Sequence, residues 1–399
     1  MTNKEKHIPV GYKPSPLGPI PEDWEVKRLG EVGSFSKGSG VPKDKIISEG
    51  HPCLTYGDLY TKYDFVIKNI KSFIDEETSK ESKEINAGDI CFAGSGETPE
   101  DIGKCATYLE NCPAYAGGDI VILSPNGNIN SLWLSYLLNS DIGGKQRYKF
   151  AQGFSIVHIY PDNLKQIQIP VPPLPEQHRI VSVLSLWDTA IAKQTALIEQ
   201  LTLRKRGLMQ QLLTGKKRLK GFGEAWKRYK LKELCSLIKG EQLNSDTLSE
   251  RGLYPVINGG INPSGYYDKY NSMENTITIS EGGNSCGYVN FIKTKFWSGG
   301  HCYMVKDLQN VDLYYLYYAL KHIEPHIMNL RVGSGLPNVQ LGPLQKLILI
   351  APPIEEQTAI ASVLVNADKE IEIQKQKLAN LQSQKRGLMQ QLLTGKKKN

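Results

Sequence analysis

The sequence predicts two α/β (α+β) domains alternating with two long α-helices that pair with each other as an antiparallel coiled coil, the whole built as an internal repeat. Three observations carry that prediction. The string Lys205-Arg-Gly-Leu-Met-Gln-Gln-Leu-Leu-Thr-Gly-Lys-Lys217 recurs letter for letter at 385–397, an offset of 180 residues. Each copy closes a stretch with apolar residues at 4-3 spacing, the mark of a coiled-coil seam. The segments between the copies instead mix short alternating runs, helical runs and glycine-rich loops.

Composition sets the frame. A chain of 399 residues exceeds one ordinary core and predicts two domains. Hydrophobic residues at 40% and charged residues at 22% exclude wholesale disorder. No apolar run approaches the ~18 residues of a membrane span, and the opening residues hold no apolar leader. Cys53, Cys91, Cys105, Cys112, Cys235, Cys286 and Cys302 are odd in number and form no CxxC. That argues against a disulfide framework or zinc ribbon and predicts a reduced, cytoplasmic protein. The net charge of +7 is unevenly placed. Residues 201–232 hold eleven Lys/Arg against Glu224, a net of +10, and residues 385–399 add +5, which leaves −8 elsewhere. The sequence thus sets a basic helix end and linker, echoed at the C-terminus, against domains that are acidic on average. Those basic ends are expected to meet nucleic-acid phosphates or an acidic partner.

In chain order, residues 1–21 are expected as a tail and 22–170 as the first domain. Ile167-Gln-Ile-Pro-Val-Pro-Pro173 reads as a strand stopped by prolines, and residues 171–215 as the first long helix. Glu176 suits its positive N-terminus. Its seam is Ile180, Leu184, Trp187, Ile191, Gln194, Ile198, Leu201, Lys205, Leu208 and Leu212, eight of ten apolar. From Glu176 to Leu213 it would run roughly 57 Å at 1.5 Å per residue. Gly215 supplies a left-handed C-cap. Residues 216–223 are a basic linker, 224–350 the second domain and 351–395 the second long helix, followed by the tail 396–399. The second helix repeats the strand stop at Leu347–Pro353, the acid at Glu356 and the cap at Gly395. Its seam is Ile360, Leu364, Ala367, Ile371, Gln374, Leu378, Leu381, Lys385, Leu388 and Leu392. Gln194 and Gln374 are expected to fix the register of the pair, since a buried polar seam residue selects its partner. Antiparallel pairing would place one domain at each end, at a separation comparable with the ~34–36 Å turn of B-DNA.

Within the domains, Asn275–Ser280 reads as a strand, and Ser131–Leu138 and Asp312–Leu320 as helices with polar N-caps. Fainter echoes link Trp24–Leu29 to Trp226–Leu231 and Lys37-Gly38 to Lys239-Gly240, at an offset of 202. Ala116-Gly-Gly118 likewise echoes Ser298-Gly-Gly300. The first variable segment is therefore about 22 residues longer, the difference of the two offsets. Exposed loops are expected at Ala93–Gly96, Ala151–Ser155, Val256–Tyr267, Ser280–Ser285 and Gly333–Gly335. Their Asn, Gln, Ser, Tyr and Arg side chains suit base edges, and their glycines allow close approach to phosphate. The candidate DNA contacts are Tyr56, Asp58, Ser95, Glu97, Thr98, Arg147, Lys149 and Gln152 in the first domain. In the second they are Asn258, Asn262, Tyr267, Glu281, Asn284, Arg331, Ser334 and Asn338.

Catalytic motifs do not appear. There is no GxxxxGK[ST]. Asn262-Pro-Ser-Gly-Tyr266 lacks the second proline of an amino-methyltransferase motif, and no AdoMet glycine loop precedes it. Pro161-Asp162 has no acidic-x-Lys after it, and Pro325 interrupts the His322/His326 pair. His301-Cys302 and His51-Pro-Cys53 read as structural.

The alternation of variable domains with Pro-Pro-x-x-Glu-Gln helices ending in Leu-Leu-Thr-Gly resembles the specificity subunit of type I restriction–modification enzymes. Ile20-Pro-Glu-Asp-Trp24, Gly223-Glu-Ala-Trp226 and Ile279-Ser-Glu-Gly-Gly-Asn-Ser-Cys-Gly287 add to the resemblance, which covers nearly the whole chain. It implies two target-recognition domains, each reading one half of an asymmetric bipartite site on double-stranded DNA. It also implies paired helices that set the gap and dock two methyltransferase subunits, with restriction/translocase subunits joining for cleavage. On that reading the chain is non-catalytic and binds no cofactor or metal; AdoMet, ATP and magnesium belong to the partner subunits. Two alternatives stay open on the residues alone: a self-contained bipartite-site methyltransferase or nuclease, and a coiled-coil scaffold without sequence reading.

Overall fold

A computed structural model describes residues 8–98, 101–153, 157–333, 335 and 337–396. The chain divides into two compact units, one of residues 1–193 with 378–399 and the other of residues 194–377. Each unit therefore holds one domain, part of its own long helix and part of the other.

The long helices run Leu174–Leu212 and Ile354–Leu392. None of their twenty seam positions is exposed, whereas Leu186, Leu197, Leu203 and Ile373 between them are. In the second unit the pairing is antiparallel: Gln194 meets Gln374, and the later Lys205 meets the earlier Asp368. The Gln194 amide donates to the Gln374 side chain (2.9 Å) and to its carbonyl (3.1 Å), the register contact expected of two seam glutamines. In the first unit Ile180 and Leu184 share a core with Met389, Leu392 and Leu393. Both helices end at left-handed glycines, Gly215 (φ 69°) and Gly395 (φ 68°).

One buried glutamine ties each helix start to its domain. Gln177 Oε1 accepts from the Asn130 N–H (2.8 Å), and its amide donates to the carbonyls of Pro172 (2.9 Å) and Asn128 (3.3 Å). Gln357 does the same with the Asp312 N–H (3.0 Å) and the carbonyls of Pro352 (2.9 Å) and Asn310 (3.3 Å). Asn130 and Asp312 are the N-caps of the domain helices Ser131–Leu138 and Leu313–His322. The repeated Pro-Pro-x-x-Glu-Gln is thus a clamp: proline carbonyls, glutamine amide and the cap of a packed helix.

A second repeated tie joins three elements. Asp188 receives Lys385 of the opposite long helix and the Tyr136 hydroxyl of the domain helix. Asp368 receives Lys205 (2.5 Å) and Tyr318 (2.6 Å) in the same way. Burial pushes the Lys385 ammonium below its ordinary pKa, and the Asp188 carboxylate opposes that shift. Burial, then the bond to Asp188, pushes the Tyr136 phenol up.

The domain cores are sheets of one pattern. The first orders its strands Gly33–Lys37, Ile120–Pro125, Ile90–Ala93, Cys105–Tyr108 and Val66–Ile67. The second orders Ser236–Lys239, Cys302–Lys306, Thr276–Ser280 and Val289–Ile292, all antiparallel. The expected strand and both expected domain helices stand where the periodicity puts them. The two faint glycine echoes meet in space. A Cβ on Gly38 would lie 2.1 Å from the Gly117 carbonyl oxygen, and one on Gly240 would lie 2.3 Å from that of Ser298. Lys-Gly and the later Gly-Gly segment are two sides of one backbone crossing, and on the Lys-Gly side only glycine fits. The first domain's greater length falls largely before its central strand, where helices Tyr56–Thr61 and Glu76–Glu81 lie.

Two stretches expected as tail and linker are folded against the units. Tyr12–Lys13 pairs with Ile20–Pro21, and the Tyr12 hydroxyl donates to the Gly395 carbonyl (2.6 Å). Arg218 of the basic stretch donates twice to Glu356 (2.6 and 2.7 Å).

Replacing Gln177 or Gln357 by leucine strands a backbone N–H and two carbonyls in a packed joint. Each variant should lose about 1–3 kcal/mol for the orphaned N–H alone. Urea midpoints check this; a change under about 0.5 kcal/mol would rule out the clamp.

Candidate nucleic-acid interface

In both units the strand leaving the central sheet position runs into a glycine, and a returning segment pairs with it. In the first, Ser95–Gly96 pairs with Val157–His158, and Gln152 bridges His158. In the second, Gly282 bridges Asn338, and Val332 bridges Asn338. Gln152 and His158 lie 180 residues before Val332 and Asn338, the offset of the helix repeat. One backbone frame therefore recurs, carrying different side chains: Ser95, Gln152 and His158 in one unit, Gly282, Val332 and Asn338 in the other.

In the first unit the Ser95 hydroxyl pairs with His158 Nδ1 (2.9 Å), and the Tyr60 hydroxyl donates to the Ser95 carbonyl (3.1 Å). His158 stacks on Tyr160 at 6.2 Å. Gln152, Lys149, Glu97 and Thr98 are exposed, and the Thr98 hydroxyl donates to Asp101 (3.0 Å). Tyr56 is half-buried at the start of its helix. The loop expected to be exposed at Ala93–Gly96 is buried, and three candidates serve the fold instead. Ser95 is 4% exposed, its hydroxyl spent on His158. Asp58 is buried, caps its helix by accepting from the Thr55 N–H (2.8 Å) and hydroxyl (2.9 Å), and pairs with Lys62. Arg147 is 5% exposed and donates to the carbonyls of Ile102 (3.1 Å) and Leu138. Burial pushes its guanidinium pKa down. A charge spent on internal carbonyls is not presented to a base edge or a phosphate.

In the second unit four loops converge. The Glu281 N–H donates to the His301 carbonyl, the Val339 N–H donates to the Glu281 carbonyl, and the Gly283 N–H donates to the Pro337 carbonyl. The Gly259 carbonyl accepts from Ser280 (2.5 Å) and Ser285 (2.7 Å). Asn258 Oδ1 accepts from the His301 N–H (3.1 Å). Asn284, Arg331 and Asn338 are exposed on these loops, while Ser334 lies outside the described residues. Asn262 and Tyr267 stand apart, with the smaller sheet Gly265–Tyr267, Tyr254–Ile257 and Trp297–Ser298; Tyr267 packs edge-on to Trp297 at 5.3 Å.

Glu281 is the charged centre of this cluster. Lys239 Nζ lies at 2.8 Å, the Tyr303 hydroxyl at 3.0 Å and His301 Nδ1 at 3.5 Å. Burial alone would raise its carboxyl pKa, but hydrogen bonds from Lys239 and Tyr303 and the charges of Lys239 and His301 outweigh it. The net position is below the usual carboxylate range.

Sequence reasoning missed His158 and set His301 aside as structural. Yet His301 is exposed beside Glu281, and His158 holds the place of Asn338. Extending the 180 offset into the loops would have found His158. The His322/His326 pair is split between helices Leu313–His322 and Glu324–Met328. All seven cysteines are free, and burial pushes Cys53 and Cys105 up to about 11. Among the described residues no helix is long and apolar enough to cross a membrane.

A family model described as type I restriction modification DNA specificity domain matches residues 21–203 and again 223–383. Two Methanocaldococcus jannaschii chains carrying type I restriction enzyme specificity-subunit names align over most of their length. MjaX is 29% identical, covering 96% of this chain and 96% of its own. MjaVIII is 25% identical, covering 94% and 93%. The crystal structure of a type I S subunit from M. genitalium shares the fold with a TM-score of 0.64 at 18% identity, covering 93% of this chain and 96% of that one.

Two outcomes follow from this geometry. Because the Glu281 pKa is depressed in the folded state, its stabilising contribution is present above the unfolded value near 4.5 and drains away as pH falls through the lower folded value. Urea midpoints of the wild type should fall over that acid window, and Glu281→Gln should flatten this part of the profile. Arg147→Met should lower the melting temperature of the first unit while leaving base preference at every position unchanged. A relaxed single base position in a binding-site selection would return Arg147 to the reading surface.

Proposed function

The chain belongs to the type I restriction–modification DNA specificity family, and from that premise we propose how its two units divide the reading of DNA. It acts as the sequence-specificity subunit of a type I complex. Each unit reads one half of an asymmetric bipartite site on double-stranded DNA, and the paired long helices set the interval between the halves. The observation that carries this is the repeated loop frame. A single backbone arrangement bearing Gln152 and His158 in one unit and Glu281, Asn284, Arg331 and Asn338 around its equivalent in the other suits two different half-sites. Asn and Gln pair with adenine edges, Arg with guanine, and a carboxylate accepts from cytosine. Glu97, Thr98 and Lys149 join the first surface, and Asn258, Asn262 and Tyr267 border the second.

The exposed apolar residues of the long helices, Leu186, Leu197, Leu203 and Ile373, support a second role. They offer apolar contact to methyltransferase subunits, two of which dock on the helix pair, with restriction/translocase subunits completing the complex. On this proposal the chain is non-catalytic: its partners bring AdoMet, ATP and magnesium and carry out adenine methylation and cleavage.

The test is a genome-wide map of methylated adenines in cells with and without this chain. One bipartite motif should vanish on deletion. Replacing residues 22–170 by another variable segment should change one half of the motif and leave the other. Within a half-site, Arg331→Ala or Asn284→Ala should relax one base position by about 1–3 kcal/mol. An unchanged map after the swap would defeat the modular reading, and methylation or cleavage by the purified chain alone would favour a self-contained enzyme.

A further inference from the structure

The two units build the same two-stranded ribbon beneath their long helices but charge it differently. In the first, Glu25–Arg28 pairs with Gln168–Val171; in the second, Lys227–Lys230 pairs with Ile348–Ala351. At the offset of 202, Lys227, Arg228, Lys230 and Lys232 stand where the first unit has Glu25, Val26, Arg28 and Gly30. Residues 227–232 thus carry four positive charges, where 25–30, with Glu25, Lys27 and Arg28, carry a net of +1. The fold does not require them, since the first unit forms its ribbon with Glu25 and Lys27 paired to each other at 2.8 Å.

The surroundings extend the charge. Gly215 packs against the Trp226 ring, and the Arg218 guanidinium lies over the same ring at 5.6 Å. Lys216, Lys217 and Lys220 of the linker flank Gly215 and Arg218 in the chain. All seven of these Lys and Arg residues are exposed, and none makes an ion pair among the described residues. Arg218, by contrast, is committed to Glu356. On the outer face Arg228 stands opposite Ile350 and Lys230 opposite Ile348, both isoleucines about half exposed. Long basic side chains lay their stems along such apolar surface and hold their charges in solvent. Lys227, beside buried Ala351, leaves the strand on its other face, so the charges ring the ribbon. Unpaired like charges on one short segment repel one another, and a polyanion relieves that repulsion.

We propose that this basic ribbon and linker of the second unit bind the phosphate backbone of DNA without regard to sequence, so that one half-site is gripped more firmly than the other. The inference rests on the DNA-reading role above. The experiment uses the assembled complex with its methyltransferase subunits. A variant carrying Lys227→Gln, Arg228→Gln, Lys230→Gln and Lys232→Gln is titrated by fluorescence anisotropy with a duplex bearing the mapped motif and with a random duplex, across a salt series. Each lost phosphate contact should lower the slope of log affinity against log salt by roughly 0.9, so the slope should fall by about 1.8 if two of the four contacts are made and about 3.6 if all are. Affinity for both duplexes should drop by the same factor, and the methylation motif should stay the same. A companion variant with Lys227→Arg, Lys230→Arg and Lys232→Arg should keep the wild-type slope, which separates charge from folding. An unchanged slope overturns the proposal, and so does a variant whose methyltransferase subunits dissociate while DNA affinity per complex holds, which would mark an acidic protein partner. A wild-type complex that fails to separate the two duplexes would refute the sequence-reading role, not this one.

Discussion

Each unit depends on one carboxylate that three elements share. Asp188 and Asp368 sit on the long helices, each receiving a lysine from the opposite helix and a tyrosine hydroxyl from the domain. Coiled-coil apolar contact alone tolerates sliding by a heptad, because one leucine layer resembles the next. A charged residue in the seam does not: moved by a heptad, Lys385 or Lys205 would be buried without its partner, at a cost of several kcal/mol. The ion pairs and the Gln194–Gln374 contact therefore act on register more than on net stability. Because Tyr136 and Tyr318 join the same carboxylates, helix register and domain position are fixed by a single atom group. This explains why the tie and seam residues, Asp188 and Asp368, Gln194 and Gln374, Lys205 and Lys385, recur at the same places while the domains they carry differ.

The repeat was legible because its physics is local. The 4-3 spacing, the polar seam positions, the terminal glycines and the polar N-caps each act within a few residues, and each stands in the structure where the pattern places it. The proline–glutamine clamp was visible as a repeat but not as a mechanism, since Gln177 and Gln357 act on backbone groups about 45 residues upstream. The loops were harder. Asp58 and Arg147 have the chemistry of base readers, yet one caps its own helix and the other plugs two carbonyls. Only tertiary context separates a charge used inward from one offered outward. His158 and His301 were missed for the converse reason. Their importance comes from Ser95 and Glu281, partners supplied by distant strands.

The glycine crossings show the same division. Lys-Gly and Gly-Gly look like unrelated echoes along the chain, and they are the two halves of one contact that leaves no room for a Cβ at Gly38 or Gly240. Such a crossing fixes the end of the edge strand against the turn that enters its neighbour, without using any side chain of the reading loops. The scaffold can thus remain constant while the reading surface changes.

The starts of the two long helices are built alike and fastened differently. In the first unit the Trp24 indole donates to Glu176 (3.0 Å). In the second, Arg218 has taken Glu356, and the matching Trp226 indole N–H is buried without a partner. A neutral donor holds its carboxylate with little regard to dissolved ions, whereas a partly exposed guanidinium pair weakens as salt screens it. Salt therefore weakens the tie at the start of the second long helix more than the one at the start of the first, and the two joints of one repeat answer differently to the same buffer.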